Sequence, residues 1–196
     1  MNMPSDLTNA AATVPSSPGQ HAYEWWRTTI SDAEGDRGAR AVLYRCRTPL
    51  DAVTVPAAIS LARRLGRIPE PSAPPWKQTR FERSLSLAIV LAHVRVNTNT
   101  SLLRTLGWGQ FPYDKKETDV TEGRPILSEL RFKRFLQIEG EDELIASFSR
   151  LVTLAKDKTD VADLARVLLR WDDGRTKRDI ALTYFRANAT GLDARD

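Results

Sequence analysis

Between Gln78 and Val96 the chain carries Phe81, Leu85, Ala88 and Ala92 at helical spacing. Leu87, Ile89, Val90, Leu91 and Val94 fill the remaining faces. A helix apolar nearly all round has no side it can show to water, so it belongs at the centre of a bundle. That one segment commits the chain to surrounding it with other helices, and the rest of the sequence supplies them. Every segment with clear periodicity has the helical period, and none alternates as a strand should.

The spacing predicts helices over Tyr23 to Ser31, with Trp25, Trp26 and Ile30 apolar, and over Asp36 to Arg47. Another starts at Pro56, which suits a first helical turn, and ends near Gly66. Pro69–Trp76 holds four prolines and reads as a loop or extended linker. Leu102 to Leu106 adds a short turn. Helices are then expected over Pro125–Ile138, Glu141–Lys156, Asp160–Trp171 and Thr176–Ala189. In the Glu141 helix, Leu144, Phe148, Leu151 and Ala155 make a stripe flanked by Ile145 and Val152. Asp160 and Thr176 are cap candidates, each with an aspartate three residues on, Asp163 and Asp179. The expected fold class is all-α, two small helical bundles packed in one compact chain. Residues 1–20 read as a disordered leader and 21–110 as an N-terminal lobe with basic faces. Residues 111–124 read as a loop, and 125–190 as a C-terminal lobe.

The residues offer little for catalysis. His21 and His93 have no partner at metal-ligand spacing, and the single Cys46 adds none. No phosphate-cradling or nucleophile-elbow motif occurs. The run Glu139, Glu141, Asp142, Glu143 opens a helix, where the dipole favours carboxylates without any metal. No enzyme activity, no metal and no cofactor are expected. A lone cysteine fits a reducing cytoplasm, and no run approaches the roughly 18 apolar residues of a membrane span.

Charge is where the chain departs from a bland bundle. Net charge is only +4, but residues 37–83 hold ten Lys/Arg against three Asp/Glu, and residues 139–173 hold nine acids against five bases. On the second helix, at about 100° per residue, Ala39, Val42, Leu43 and Cys46 form the side to bury. Arg37, Arg40, Arg45 and Arg47 share another arc with Tyr44. The third helix repeats this, with Leu61, Leu65 and Ile68 on one side and Arg63, Arg64 and Arg67 on another. Like charges at i,i+3 and i,i+4 repel, and phosphate relieves that repulsion while taking bidentate hydrogen bonds from guanidinium. The competing reading is that these arginines pair with acids of the other lobe. Two further clusters are Arg131, Lys133 and Arg134, where the helical wheel leaves exposure open, and Arg175, Lys177 and Arg178 at a helix N-terminus. The last three can equally pair with Asp172, Asp173 and Asp179.

In order and spacing these segments resemble the CasB family, the small subunit of the type I-E CRISPR Cascade complex. The resemblance is carried by Trp25-Trp26, by Arg37-Gly-Ala-Arg-Ala-Val-Leu-Tyr-Arg45 and by Arg131-Phe-Lys-Arg-Phe-Leu136. It continues through Leu144…Leu151-Val152…Leu154, Asp160-Val-Ala-Asp-Leu…Leu168-Leu-Arg-Trp171 and Tyr184-Phe185. It implies two helical bundles, no catalysis, and partnership with other Cascade subunits and their guide RNA. It also implies a second copy packed head to tail, and contact with target and non-target DNA strands. DNA contact carries over to Arg37, Arg40, Arg45, Arg131 and Arg134. The chain departs from the family pattern in a longer leader, an enlarged Gly107–Gly123 loop and Ile180-Ala181 where a tryptophan is expected. Two other readings stand beside it: a free-standing helical transcription regulator, and a protein–protein adaptor with basic docking faces.

Overall fold

The computed structural model describes residues 17–107 and 125–189. The expected 111–124 loop lies outside the described residues. Ten helices and one pair of two-residue strands occur in the order α1 (Pro18–Thr29), α2 (Arg37–Arg45), α3 (Pro49–Ala52), α4 (Pro56–Arg64), α5 (Pro75–Leu91), β1 (Val96–Asn97), α6 (Leu102–Leu106), α7 (Glu129–Leu136), α8 (Glu141–Leu154), β2 (Lys158–Thr159), α9 (Val161–Leu169) and α10 (Gly174–Ala189), all counted among the described residues. The chain is all-α, as expected.

The central helix is α5. From Phe81 to Leu91 only Glu82 escapes full burial, and the turn that follows buries Ala92, His93 and Val94. Around it pack α3, α4, α8 and α9. Helix α1 lies along α9, so the first helix meets one of the last. Buried side chains from both expected lobes, 21–110 and 125–190, belong to one cluster.

Several ends differ from expectation for local reasons. Helix α1 begins at Pro18 because Ser17 caps it, its hydroxyl accepting the Gln20 N–H at 3.2 Å. Residues 18–20 therefore belong to the fold and not to the leader. Gly19 is buried so tightly that a Cβ there would stand 2.5 Å from the Ala162 carbonyl oxygen of α9. Pro75 and Trp76 belong to α5, since proline at the first helical position starts a helix as readily as it ends one. Helix α10 begins at Gly174, with the Asp173 carboxylate accepting the Arg175 N–H, so Thr176 is buried instead of capping. Asp160 caps α9 as expected, accepting the Asp163 N–H at 3.0 Å.

The strand pair has no counterpart in the periodicity. β1 and β2 run parallel, Val96 opposite Lys158 and Asn97 opposite Thr159. Asn97 Oδ1 also accepts the Val161 N–H, tying β1 to the start of α9. The chain reaches β2 through Lys156 and Asp157, both at positive φ.

In the other half, Phe135, Phe148 and Trp171 meet at ring-centroid distances of 4.8 to 5.3 Å. Phe132 stacks on Tyr184 at 3.9 Å, and the Tyr184 hydroxyl donates to the Leu127 carbonyl at 2.6 Å. Burial pushes that phenol up to about 12.

Candidate nucleic-acid interface

Helix α2 is a surface helix that buries only Arg40 and Leu43. It starts where Asp36 accepts the Gly38 N–H at 2.7 Å. Its short buried edge explains why Val42, expected inside, is 47% exposed, while Cys46 just past its end is buried. Arg37 and Arg45 stand in solvent, as does Arg47 beyond the last turn. None of the three makes an ion pair among the described residues; the Arg47 backbone N–H donates to the Asp51 carboxylate at 2.8 Å, while its guanidinium makes a long hydrogen bond, 3.4 Å, to the Tyr44 carbonyl.

Arg40 is different, and its assignment to the exposed basic face is corrected. It is 8% exposed. Its Nε donates to the Ala92 carbonyl at 3.0 Å and its Nη1 pairs with Asp32 at 2.6 Å. The guanidinium covers a carbonyl at the frayed end of α5, a group that would otherwise be buried without a donor. Asp32 also receives Arg95 at 3.6 Å, and Arg95 reaches Asp157 at 3.6 Å.

The α4 arginines divide three ways. Arg63 is exposed with no ion pair among the described residues. Arg64 pairs with Glu24 of α1 at 3.2 Å. Arg67 lies past the helix end, half-buried, with one Nη1 hydrogen bond of 3.5 Å to the Arg80 carbonyl. Burial first, then the neighbouring Arg80 and Arg83, lower its pKa to about 10. Ile68, expected on the buried side, is 46% exposed.

Helix α7 settles the second cluster. Phe132 and Phe135 turn inward, and Arg131, Lys133 and Arg134 are all exposed with no ion pair among the described residues. The third cluster is largely occupied. Arg175 and Arg178 are exposed, but Arg178 stands 3.8 Å from Asp179 and the Lys177 ammonium lies 5.0 Å over the Trp171 ring.

Sequence reasoning missed Arg83, the most constrained cation described here. It is 4% exposed on α5 and donates to Glu141 at 2.5 Å, to Asp172 at 3.2 Å and to the Leu168 carbonyl at 3.3 Å. Glu141 takes a second bond, 2.6 Å, from Ser86. Part of the acidic run at the start of α8 is thus spent on a structural knot. Among the described residues no group of three or more His, Cys, Asp or Glu could hold a metal ion, and no helix is long and apolar enough to cross a membrane.

What remains is a helical scaffold whose interior arginines, Arg40 and Arg83, are paired and whose outer helices present arginines without carboxylate partners among the described residues. That defines a class: a small all-α protein with cationic surfaces available to an anionic partner. The model of the CRISPR-associated protein Cse2 family matches residues 39–185, three quarters of the chain. The chain belongs to the Cse2 family, the CasB family of type I-E Cascade subunits. Membership implies a structural subunit of a CRISPR Cascade complex, with other subunits as partners. Comparison with curated proteins and with solved structures gave no match.

Proposed function

We propose that this chain is the non-catalytic small subunit of a type I-E Cascade, holding the opened DNA strands by their phosphates while the guide RNA pairs with its target. The observation that carries the reading is a set of six exposed arginines and lysines without an ion pair among the described residues, on α2 and α7 or next to them: Arg37, Arg45, Arg47, Arg131, Lys133 and Arg134. In such a complex base pairing reads the sequence, so the protein needs backbone contacts only. Exposed guanidinium groups without acids are suited to that work. In this reading Arg63, Arg175 and Arg178 are further exposed cations for the strands, and a second copy packs head to tail. No cofactor takes part.

The test is a triple variant, Arg37→Ala, Arg45→Ala and Arg47→Ala, in the assembled complex. Binding to a duplex with an unpaired bubble should weaken for any target sequence. The log–log salt slope should become shallower by about two to three, given roughly 0.7 to 0.9 per phosphate. The melting temperature should hold, since none of the three is buried. Arg40→Ala should do the reverse, lowering the melting temperature and sparing the salt slope. An unchanged slope in a fully assembled triple variant would sink the reading for α2. Loss of affinity confined to one target sequence would favour a base-reading regulator instead.

A further inference from the structure

Helix α4 ends in a left-handed turn at Gly66, φ 62°. The Gly66 N–H bonds to the Arg63 carbonyl and the Arg67 N–H to the Ala62 carbonyl, both at 2.9 Å. This closing pattern fixes the direction in which the chain leaves the helix. It carries Arg67, Ile68 and Pro69 back beside the first turns of α5. There they enclose, with Trp76, Lys77 and Arg80, a hollow of about 420 Å³ counting its open side.

Its lining is chemically lopsided. Three cations contribute, Arg67, Lys77 and Arg80, and no acid does. None of the three makes an ion pair among the described residues, and Arg67 uses one N–H in a long bond. The rest is flat and apolar: Ile68, Pro69 and an indole that is 55% exposed. The Lys77 ammonium and the Arg80 guanidinium stand 5.6 and 5.9 Å from the Trp76 ring centre. That is close to the outer limit at which a ring holds a cation, so both can turn to a stronger anion. A ligand satisfying this lining needs a planar, largely apolar ring joined to a dense negative charge. A nucleotide unit has both. In a duplex the ring is hidden in the stack, so the strand must be single.

We propose that this hollow seats one unstacked nucleobase of a single-stranded nucleic acid, its ring on Trp76 and its phosphate between Arg67, Lys77 and Arg80. The inference rests on the reading of the chain as a strand-holding subunit and adds that one part of the surface holds a base as well as the backbone. It places on the strand-binding side two residues of α5, Lys77 and Arg80, that lie outside the arginine faces of α2 and α4.

The experiment uses the full-length chain and fluorescence anisotropy with an oligothymidylate of about 12 nucleotides. An abasic strand of the same length and charge is measured beside it. Stacking on one aromatic ring contributes about 5- to 150-fold in affinity. Trp76→Ala should therefore weaken the thymidylate by that factor and leave the abasic strand unchanged. Trp76→Phe should recover most of the loss, which also guards against a folding defect in the alanine variant. Arg67→Ala with Arg80→Ala should weaken both strands and flatten the salt dependence. Equal loss on both strands from Trp76→Ala, or loss on neither, overturns the pocket. If wild type then still binds both strands in a salt-dependent way, the backbone-holding reading survives alone. Binding of neither strand at low salt would remove both. Displacement by inorganic phosphate as efficient as by thymidine monophosphate would reduce the hollow to an anion site and overturn the seat for a base.

Discussion

Single residues divide into cations that serve the fold and cations left for a partner, and helical spacing cannot tell them apart. Arg37 and Arg40 share an arc on α2, yet one is solvated and the other is buried against Asp32 and the Ala92 carbonyl. The deciding contact reaches 52 positions along the chain, well outside any local window. His93 poses the same problem in milder form. It is 7% exposed, its ring centre 4.3 Å from that of Tyr44 and its Nε2 without a hydrogen-bond partner among the described residues. Burial first and then Arg47 push its pKa below the ordinary 6.5, against an opposing pull from Asp157, with Arg40 adding least. The folded state therefore binds fewer protons than the unfolded chain once pH drops under about 6.5. Stability from this group is complete above that value and is lost as pH falls through the lower, folded-state pKa. Melting temperature followed from pH 7.5 downward should decline in wild type more steeply than in His93→Leu. Parallel curves would show that the imidazole stays neutral or finds a partner.

Whole helices were more legible than their ends. The α8 stripe of Leu144, Phe148, Leu151 and Ala155 is buried throughout, because four turns of pattern average out any local exception. Short elements gave no such signal. β1 and β2 have two residues each and pair across more than 60 positions, so no alternation could announce them. The start of α5 was obscured by its prolines, and with it the role of Trp76 in the hollow beside Arg67. Of the candidate interface, the α7 cluster could not be read from its wheel, since Arg131 shares a side with Leu127 and Phe135. In the fold only the latter two are buried. Helix α1 packs tightly on α9, where Gly19 leaves no space for a side chain. Gly19→Ala should force the two helices apart and cost about 1–3 kcal/mol in urea denaturation, despite alanine's better helix propensity. A gain in stability would mean that α1 is not seated on α9 in solution.

At the scale of the whole molecule, a buried cation joins the central helix to segments far along the chain. Arg83 links α5 to Glu141 at the start of α8 and to Leu168 and Asp172 at the end of α9. Asp172 is 70% exposed and can return to water when its partner is removed, so the cost falls mainly on Glu141 and the Leu168 carbonyl. Arg83→Leu should lower the unfolding free energy by about 3 kcal/mol with an unchanged denaturant slope. A shift under about 0.5 kcal/mol would mark the contact as solvated in practice. The seating of residue 19 against residue 162 also has a consequence in time. On the ribosome α1 emerges well before α9, which carries the surface that receives Gly19 and its neighbours. Local helix contacts form quickly, whereas closure between distant parts of a chain is slow. This helical protein should therefore refold with its N-terminal helix docking last, as a lagging gain of amide protection over Ala22–Trp26.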